Sequence, residues 1–458
     1  MSSSLLRRPT IHVQPNVDRY ATLGLRDNPF PHQPSLNPES DDPRVNGTIY
    51  CEDLHVDKTG EFYRLLIPTS QHPQAPAIAF LMDQASRKGR GIGKSAFLKH
   101  QQRELMKDLG DAASHGAAVL AALYVVPAPT PPSRKFWEFC RLVLRTMLDQ
   151  NLISIAICRV RALSGLIPEP VLTEAASAQD LQSTIGSTQW LHDRGVSAGD
   201  LSEWARQRLV SGGVPPDWAM LLAYEGHDSS RLRKQWFANL HDAAWKTDGG
   251  NLLFDTLVKV FQAADFTKGL LLVDEVEKIV MPQNLLERRA FADALRFYLI
   301  DGNCQNARSQ FYGLLLTIHP LIQELLLPYW QAAGLDRLAP LNEPDARQCT
   351  LYFPQLTEQK AVPLVKVYLD YFRSPGNEQS GIQPFTEEAV VAALMKSNGL
   401  PGRTLNLLHR VVERAAGRSL PQIDKQLVEE VASAAEPGSD QEPEQQVPLP
   451  AVKVRLVE

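Results

Sequence analysis

The sequence predicts an α/β fold: a parallel sheet covered by helices on both faces, with a large helical insertion and a C-terminal helical lid. Two observations carry this. Four apolar runs of strand length stand at residues 77–82 (AIAFLM), 117–126 (AAVLAALYVV), 269–273 (GLLLV) and 312–318 (YGLLLTI). Stretches of helical periodicity separate them, which is the pattern of strands buried on both faces. From residue 357 to 434 the periodicity is helical throughout, in four or five amphipathic pieces.

The 458 residues are enough for two or three domains, and 22% charged with 44% apolar residues is ordinary for a soluble globular chain. A net charge of −5 argues against coating nucleic acid through bulk charge, while leaving room for a local basic surface. The five cysteines are scattered, without a CxxC pair, which fits a reducing compartment rather than a zinc ribbon or disulfide framework. MSSSLLRRPT lacks a signal-peptide core, and no apolar run reaches membrane length, so a cytoplasmic protein without a membrane span is expected.

In chain order, residues 1–75 read as an irregular extension rich in proline, aspartate and asparagine, with short strands expected near 47–51 and 62–67. Residues 76–132 form the first part of the core, and PAPTPP closes its second strand. Residues 133–255 are the helical insertion. Segments such as FWEFCRLVLRTMLDQ and DLSEWARQRLV place apolar residues at helical intervals. Its tryptophans (Trp137, Trp190, Trp204, Trp218, Trp236, Trp245) are expected mostly to pack the insertion, with a partner surface as the alternative. Residues 256–350 return to the core, 351–434 form the lid, and the acidic, proline-rich 435–458 reads as a disordered tail.

The chemistry starts in KGRGIGKSAF, between the first strand and the helical SAFLKHQQRELMKDLG. Gly89, Gly91, Ile92, Gly93, Lys94, Ser95 and Ala96 form a phosphate loop whose glycines let backbone N–H groups turn inward. Lys94 is suited to β- and γ-phosphates, Ser95 to Mg²⁺, and the helix start adds positive potential. The first glycine of GxxxxGK[ST] is replaced by Lys88. Gly89 comes one residue late, giving GxxxGKS. LLLVDEVEK then places Asp274 and Glu275 at a buried strand's end, where carboxylates are costly without compensation. Asp274 would hold Mg²⁺ and Glu275 would polarise an attacking water. Simple helix capping is the bland alternative, and the upstream loop disfavours it. A P-loop core using ATP and Mg²⁺ follows.

This order resembles the AAA+ superfamily. The resemblance implies that Thr317, ending the next strand, senses the γ-phosphate, with His319 as competitor. It places Arg403 of GLPGR in the lid on the nucleotide, with Arg410 second. Arg337 in GLDRLAP falls where the family puts a finger reaching a neighbouring subunit, with Arg347 as alternative. LGLRDNPF is similar to origin-recognition ATPases and to regulators of the ExeA and TnsC kind. GLLLVDEVEKI with RRAFADALRFYL resembles the ATP-binding proteins of BREX-type phage defence. These likenesses imply an ATPase acting in a DNA-associated, phage-defence or transposition-like complex. They imply a homo-oligomer with nucleotide at subunit interfaces and a protein partner in a multi-component system. Non-specific DNA contact through Arg87, Lys88 and Arg90, or through Arg403, His409, Arg410, Arg414 and Arg418, is a further option. The alternative is a nucleotide-controlled switch or scaffold with little hydrolysis. Lys94 and Asp274 lie 180 positions apart (274 − 94), so the insertion is unusually long for a minimal core.

Overall fold

A computed structural model describes residues 19–67, 76–83, 91–106, 120–128, 130–178, 180–239, 242–341, 345–376 and 380–434. The chain divides into two compact units, one of residues 36–355 and one of 1–35 with 356–458. The loop positions Arg87, Lys88, Gly89 and Arg90, and the tail 435–458, lie outside the described residues.

The first unit is built on five parallel strands: β1 (Ile78–Asp83), β2 (Leu120–Val125), β3 (Lys268–Val273), β4 (Tyr312–Thr317) and β5 (Thr350–Phe353). Their spatial order is β2-β3-β4-β1-β5. β1 pairs with β4 through Ile78–Leu314 and with β5 through Phe80–Thr350, which puts β1 inside the sheet. Its residues are buried throughout, as an apolar run without alternation predicts. Successive side chains point to opposite faces: Phe80 and Met82 join one core, Ala79 and Leu81 the other.

Two helices, α1 (Val56–Leu66) and α2 (Lys94–Met106), cover the face carrying Ala79 and Leu81, through Phe62, Leu65, Leu66, Phe97 and Leu98. α1 corrects the strand expected near 62–67, and residues 47–51 form turns and irregular chain rather than the expected strand. FYRLLI has strand-like composition, but Phe62, Leu65 and Leu66 share one helical face. β5 was also not anticipated, being only four residues long. The opposite face takes α3 (Phe136–Asp149) from the insertion, which buries Phe139, Cys140, Val143, Leu144, Met147 and Leu148. α4 (Leu152–Ala162) and α5 (Leu285–Arg296) add to the same core. Trp245 is fully buried, and Trp137, Trp204 and Trp218 pack against this core, so these indoles serve the interior.

The insertion has its own polar pin. Arg161 on α4 is 1% exposed and donates to Ser202 Oγ at 2.8 Å, Ala223 O at 3.1 Å, Ile185 O at 3.4 Å and His227 Nδ1 at 3.1 Å.

The second unit contains the helices Glu358–Phe372, Glu387–Lys396, α6 (Pro401–Gly417) and Lys425–Ser433. Thr386 and Asp424 cap two of them by accepting from Ala389 N and Leu427 N. Residues 19–35 belong to this unit rather than to the extension they adjoin in sequence. No described helix is long and apolar enough to cross a membrane.

Candidate nucleotide site

In an open parallel sheet, ligands bind beyond the carboxyl ends of the strands. Here β1, β3 and β4 deliver Asp83, Asp274 and Thr317 to that edge. β2 adds Tyr124, and the turn entering α2 adds Lys94 and Ser95.

Gly91 and Gly93 have φ of +84° and +97°, a region that side-chain-bearing residues rarely occupy. A Cβ on Gly93 would also lie 3.4 Å from His55 Nε2. His55 is buried, with its ring 4.6 Å from that of Phe353 and 5.9 Å from that of Phe97. The turn leads directly into α2, whose first hydrogen bond runs from Phe97 N to Gly93 O at 3.0 Å. Ile92 is buried beneath the turn, whereas Lys94, Ser95 and Ala96 are half-buried. Lys94 and Ser95 thus occupy the first turn of α2, where unpaired N–H groups and the helix dipole favour an anion.

Asp274 follows β3 and is 3% exposed, yet both its oxygens are satisfied. Oδ2 accepts from the Tyr124 hydroxyl at 2.8 Å. Oδ1 accepts from Thr317 Oγ1 at 2.7 Å and from Glu275 N at 2.9 Å. Thr317 Oγ1 also lies 2.9 Å from Val273 O, so its single proton is shared between two acceptors. Tyr124 also faces Ser95, and so stands between the loop and the acidic strand end. Burial first, and then the Asp274 charge, hold the Tyr124 phenol far above its ordinary value, which keeps it a donor.

Glu275 stands at φ +48°, an unusual conformation for a non-glycine residue, and is ion-paired with Lys278 one helical step later. Lys94 Nζ donates to Asp83 Oδ1 at 2.5 Å. His319 turns to the start of the following helix, where Nδ1 accepts from Leu321 N at 3.3 Å.

The sequence-predicted residues thus fall into three groups. Gly91, Ile92, Gly93, Lys94, Ser95, Ala96, Asp274, Glu275 and Thr317 gather around one sheet edge. Arg337 is exposed in the turn after the helix Pro320–Ala332, and Arg347 is exposed in the short turn Asp345–Gln348. Arg403 is exposed in the first turn of α6, in the second unit. Sequence reasoning missed Asp83, Tyr124, His55 and Lys278. Asp83 and Tyr124 carried one signal, as polar residues at the carboxyl ends of apolar strands.

Strand, glycine turn and helix on a five-stranded parallel sheet make this an α/β P-loop core with helical additions, the class of fold the sequence predicts. No family model and no curated protein matches the chain. Among solved structures it is similar to the Aeropyrum pernix ORC2 protein in its ADPNP–ADP complexes, at 12% identity and a TM-score of 0.40. That match covers 87% of this chain and 69% of the other. The ADP form of the same protein matches at 11% identity and 0.41, over 87% and 70%. The Drosophila ORC bound to DNA matches at 11% and 0.36, over 94% and 70%. Origin-recognition proteins are one group the sequence resembles.

Proposed function

We propose that the chain is an Mg²⁺-dependent, ATP-binding ATPase of the AAA+ kind. One observation carries this reading. A left-handed glycine turn sets Lys94 and Ser95 on a helix start, and Tyr124, facing Ser95, donates to the buried Asp274 beside Glu275.

The donor set fits both absent groups. Backbone N–H groups of the turn and the Lys94 ammonium suit phosphate oxygens, which are anionic and accept only. The Ser95 hydroxyl and the Asp274 carboxylate are hard oxygen donors of the type Mg²⁺ takes, and Tyr124 lies beside both. The metal, when bound, would neutralise charge on the phosphates. Tyr124 and Thr317 fix the Asp274 carboxylate in one orientation, so little reorganisation is needed when the site fills. Glu275 is the residue suited to take a proton from water, once it leaves Lys278.

The Glu275–Lys278 pair favours a second reading, a nucleotide-controlled switch that hydrolyses slowly until a partner frees the carboxylate. In the fuller form of the proposal, that partner is another copy supplying Arg337 or a component of a DNA-associated assembly. Nucleotide binding and turnover, measured for wild type and Glu275→Gln, separate these possibilities. The enzyme reading expects slow turnover that Glu275→Gln lowers by about 10² or more while ATP binding persists. Binding with no turnover in wild type, even at high protein concentration, leaves the switch. Absence of binding removes both.

A further inference from the structure

We infer that Asp83 is an affinity-setting residue of this site: its carboxylate occupies Lys94 in the place a phosphate would take. The inference rests on the nucleotide-binding reading above.

β1 ends on Asp83, whose side chain is 1% exposed. Oδ1 accepts from Lys94 Nζ at 2.5 Å, while Oδ2 has no hydrogen-bond partner among the described residues. Burial pushes this carboxyl above its ordinary value, and Lys94 and, more weakly, His319 oppose that push. A buried carboxylate with one oxygen unsatisfied is tolerable only while its cation stays. The cation here is the lysine that the phosphate loop presents to the β- and γ-phosphates. Asp83 and an incoming phosphate are both anions seeking one ammonium. Nucleotide entry therefore weakens the Lys94 contact with Asp83 and brings negative charge toward a carboxylate whose second oxygen has no partner among the described residues. Both effects lower affinity, and both act on the phosphates rather than on the base or sugar.

The test follows from that selectivity. Asp83→Asn keeps the shape and removes the charge, and Asp83→Ser provides a smaller second variant should the amide fit poorly. Calorimetric titration of the full chain with ADP, inorganic pyrophosphate and AMP, in Mg²⁺, reads the effect. We expect ADP and pyrophosphate to bind about ten- to a hundredfold more tightly to either variant than to wild type, reflecting a lost charged competitor. AMP, which lacks a β-phosphate, should be little changed. Unchanged or weaker ADP binding in folded variants overturns the inference while leaving the nucleotide reading intact, as does equal tightening for AMP. Binding of ADP by the variants alone would be its strongest support. If neither wild type nor the variants bind ADP, the nucleotide reading itself has failed and the inference falls with it.

Discussion

Asp274 is a buried carboxylate, and its stability depends on three neutral donors supplied by three different stretches of chain. Tyr124 comes from β2, Thr317 from β4, and the Glu275 N–H from its own turn. Removing one donor from a buried, charged acceptor costs about 1–3 kcal/mol. Tyr124→Phe and Thr317→Val should each lower unfolding free energy by about that amount, read from urea denaturation. The pair share one acceptor, so the double variant should depart from the sum of the singles. Thr317 in this arrangement supports Asp274. A γ-phosphate sensor alone would lose turnover on Thr317→Val with stability unchanged, so the two measurements together decide its role. Tyr124→Phe should also raise the Mg²⁺ concentration needed for nucleotide binding, since Asp274 loses the donor that orients its carboxylate.

At the scale of elements, a buried polar cluster sits within the apolar packing of the insertion. Arg161 gathers two backbone carbonyls, a hydroxyl and His227 in the interior, with no carboxylate in the set. An arginine cannot accept, so His227 Nδ1 must, and the imidazole is neutral in the fold. Burial first and then the Arg161 charge lower its pKa to about 4. The unfolded chain binds this proton near the usual histidine value of about 6.5, and the folded chain does not. Stability from this group is therefore complete above about pH 6.5 and declines as pH falls toward 4. About 2 kcal/mol is at stake after allowance for partial exposure. His227→Gln keeps an acceptor for Arg161 and removes the titration, so its melting temperature should fall less between pH 7 and 4.5 than that of wild type. None of this was legible in the sequence. Arg161 lies in CRVRAL, where an arginine reads as solvated, and its partners come from residues 185–227. The four long strands and the glycine turn entering α2 were legible because apolar runs and glycine spacing are local signals. β5 was not, being four residues beside an already helical stretch. α1 was misread because aromatic and aliphatic residues in close sequence suit either state until a face to cover is known. Asp83 escaped notice for a related reason. A carboxylate next to a strand looks like a turn residue until the fold brings Lys94 onto it.

For the whole molecule, the division into units does not follow chain order, and this has a measurable consequence. Residues 19–35 lie among the helices of the second unit. Leu23, Leu25 and Phe30 are fully buried there, with Phe30 within 6 Å of the Tyr368 and Phe385 rings, at 5.9 and 5.8 Å. Asn28 Nδ2 donates to His409 O at 3.0 Å and to Glu413 Oε1 at 2.8 Å, and Tyr20 donates to the same carboxylate. Arg26 N and Ser374 N complete a backbone exchange with Phe372 O and Gly24 O at 2.9 and 3.1 Å. Three buried side chains at about 1.5–3 kcal/mol each amount to about 5–9 kcal/mol, comparable with the total stability of a small domain. A chain shortened to begin at Leu36 should therefore lose the fold of residues 358–434 while the parallel sheet, with its own core, persists. Hydrogen exchange reads this directly: protection should vanish from Glu358–Phe372 and α6 and remain on β1, β3 and β4. Full protection of α6 in the shortened chain would show that the N-terminal segment only decorates the helices of the second unit. Restoring residues 1–35 as a separate peptide should recover some protection if the segment acts through packing, because the same contacts are then available at the entropic cost of association.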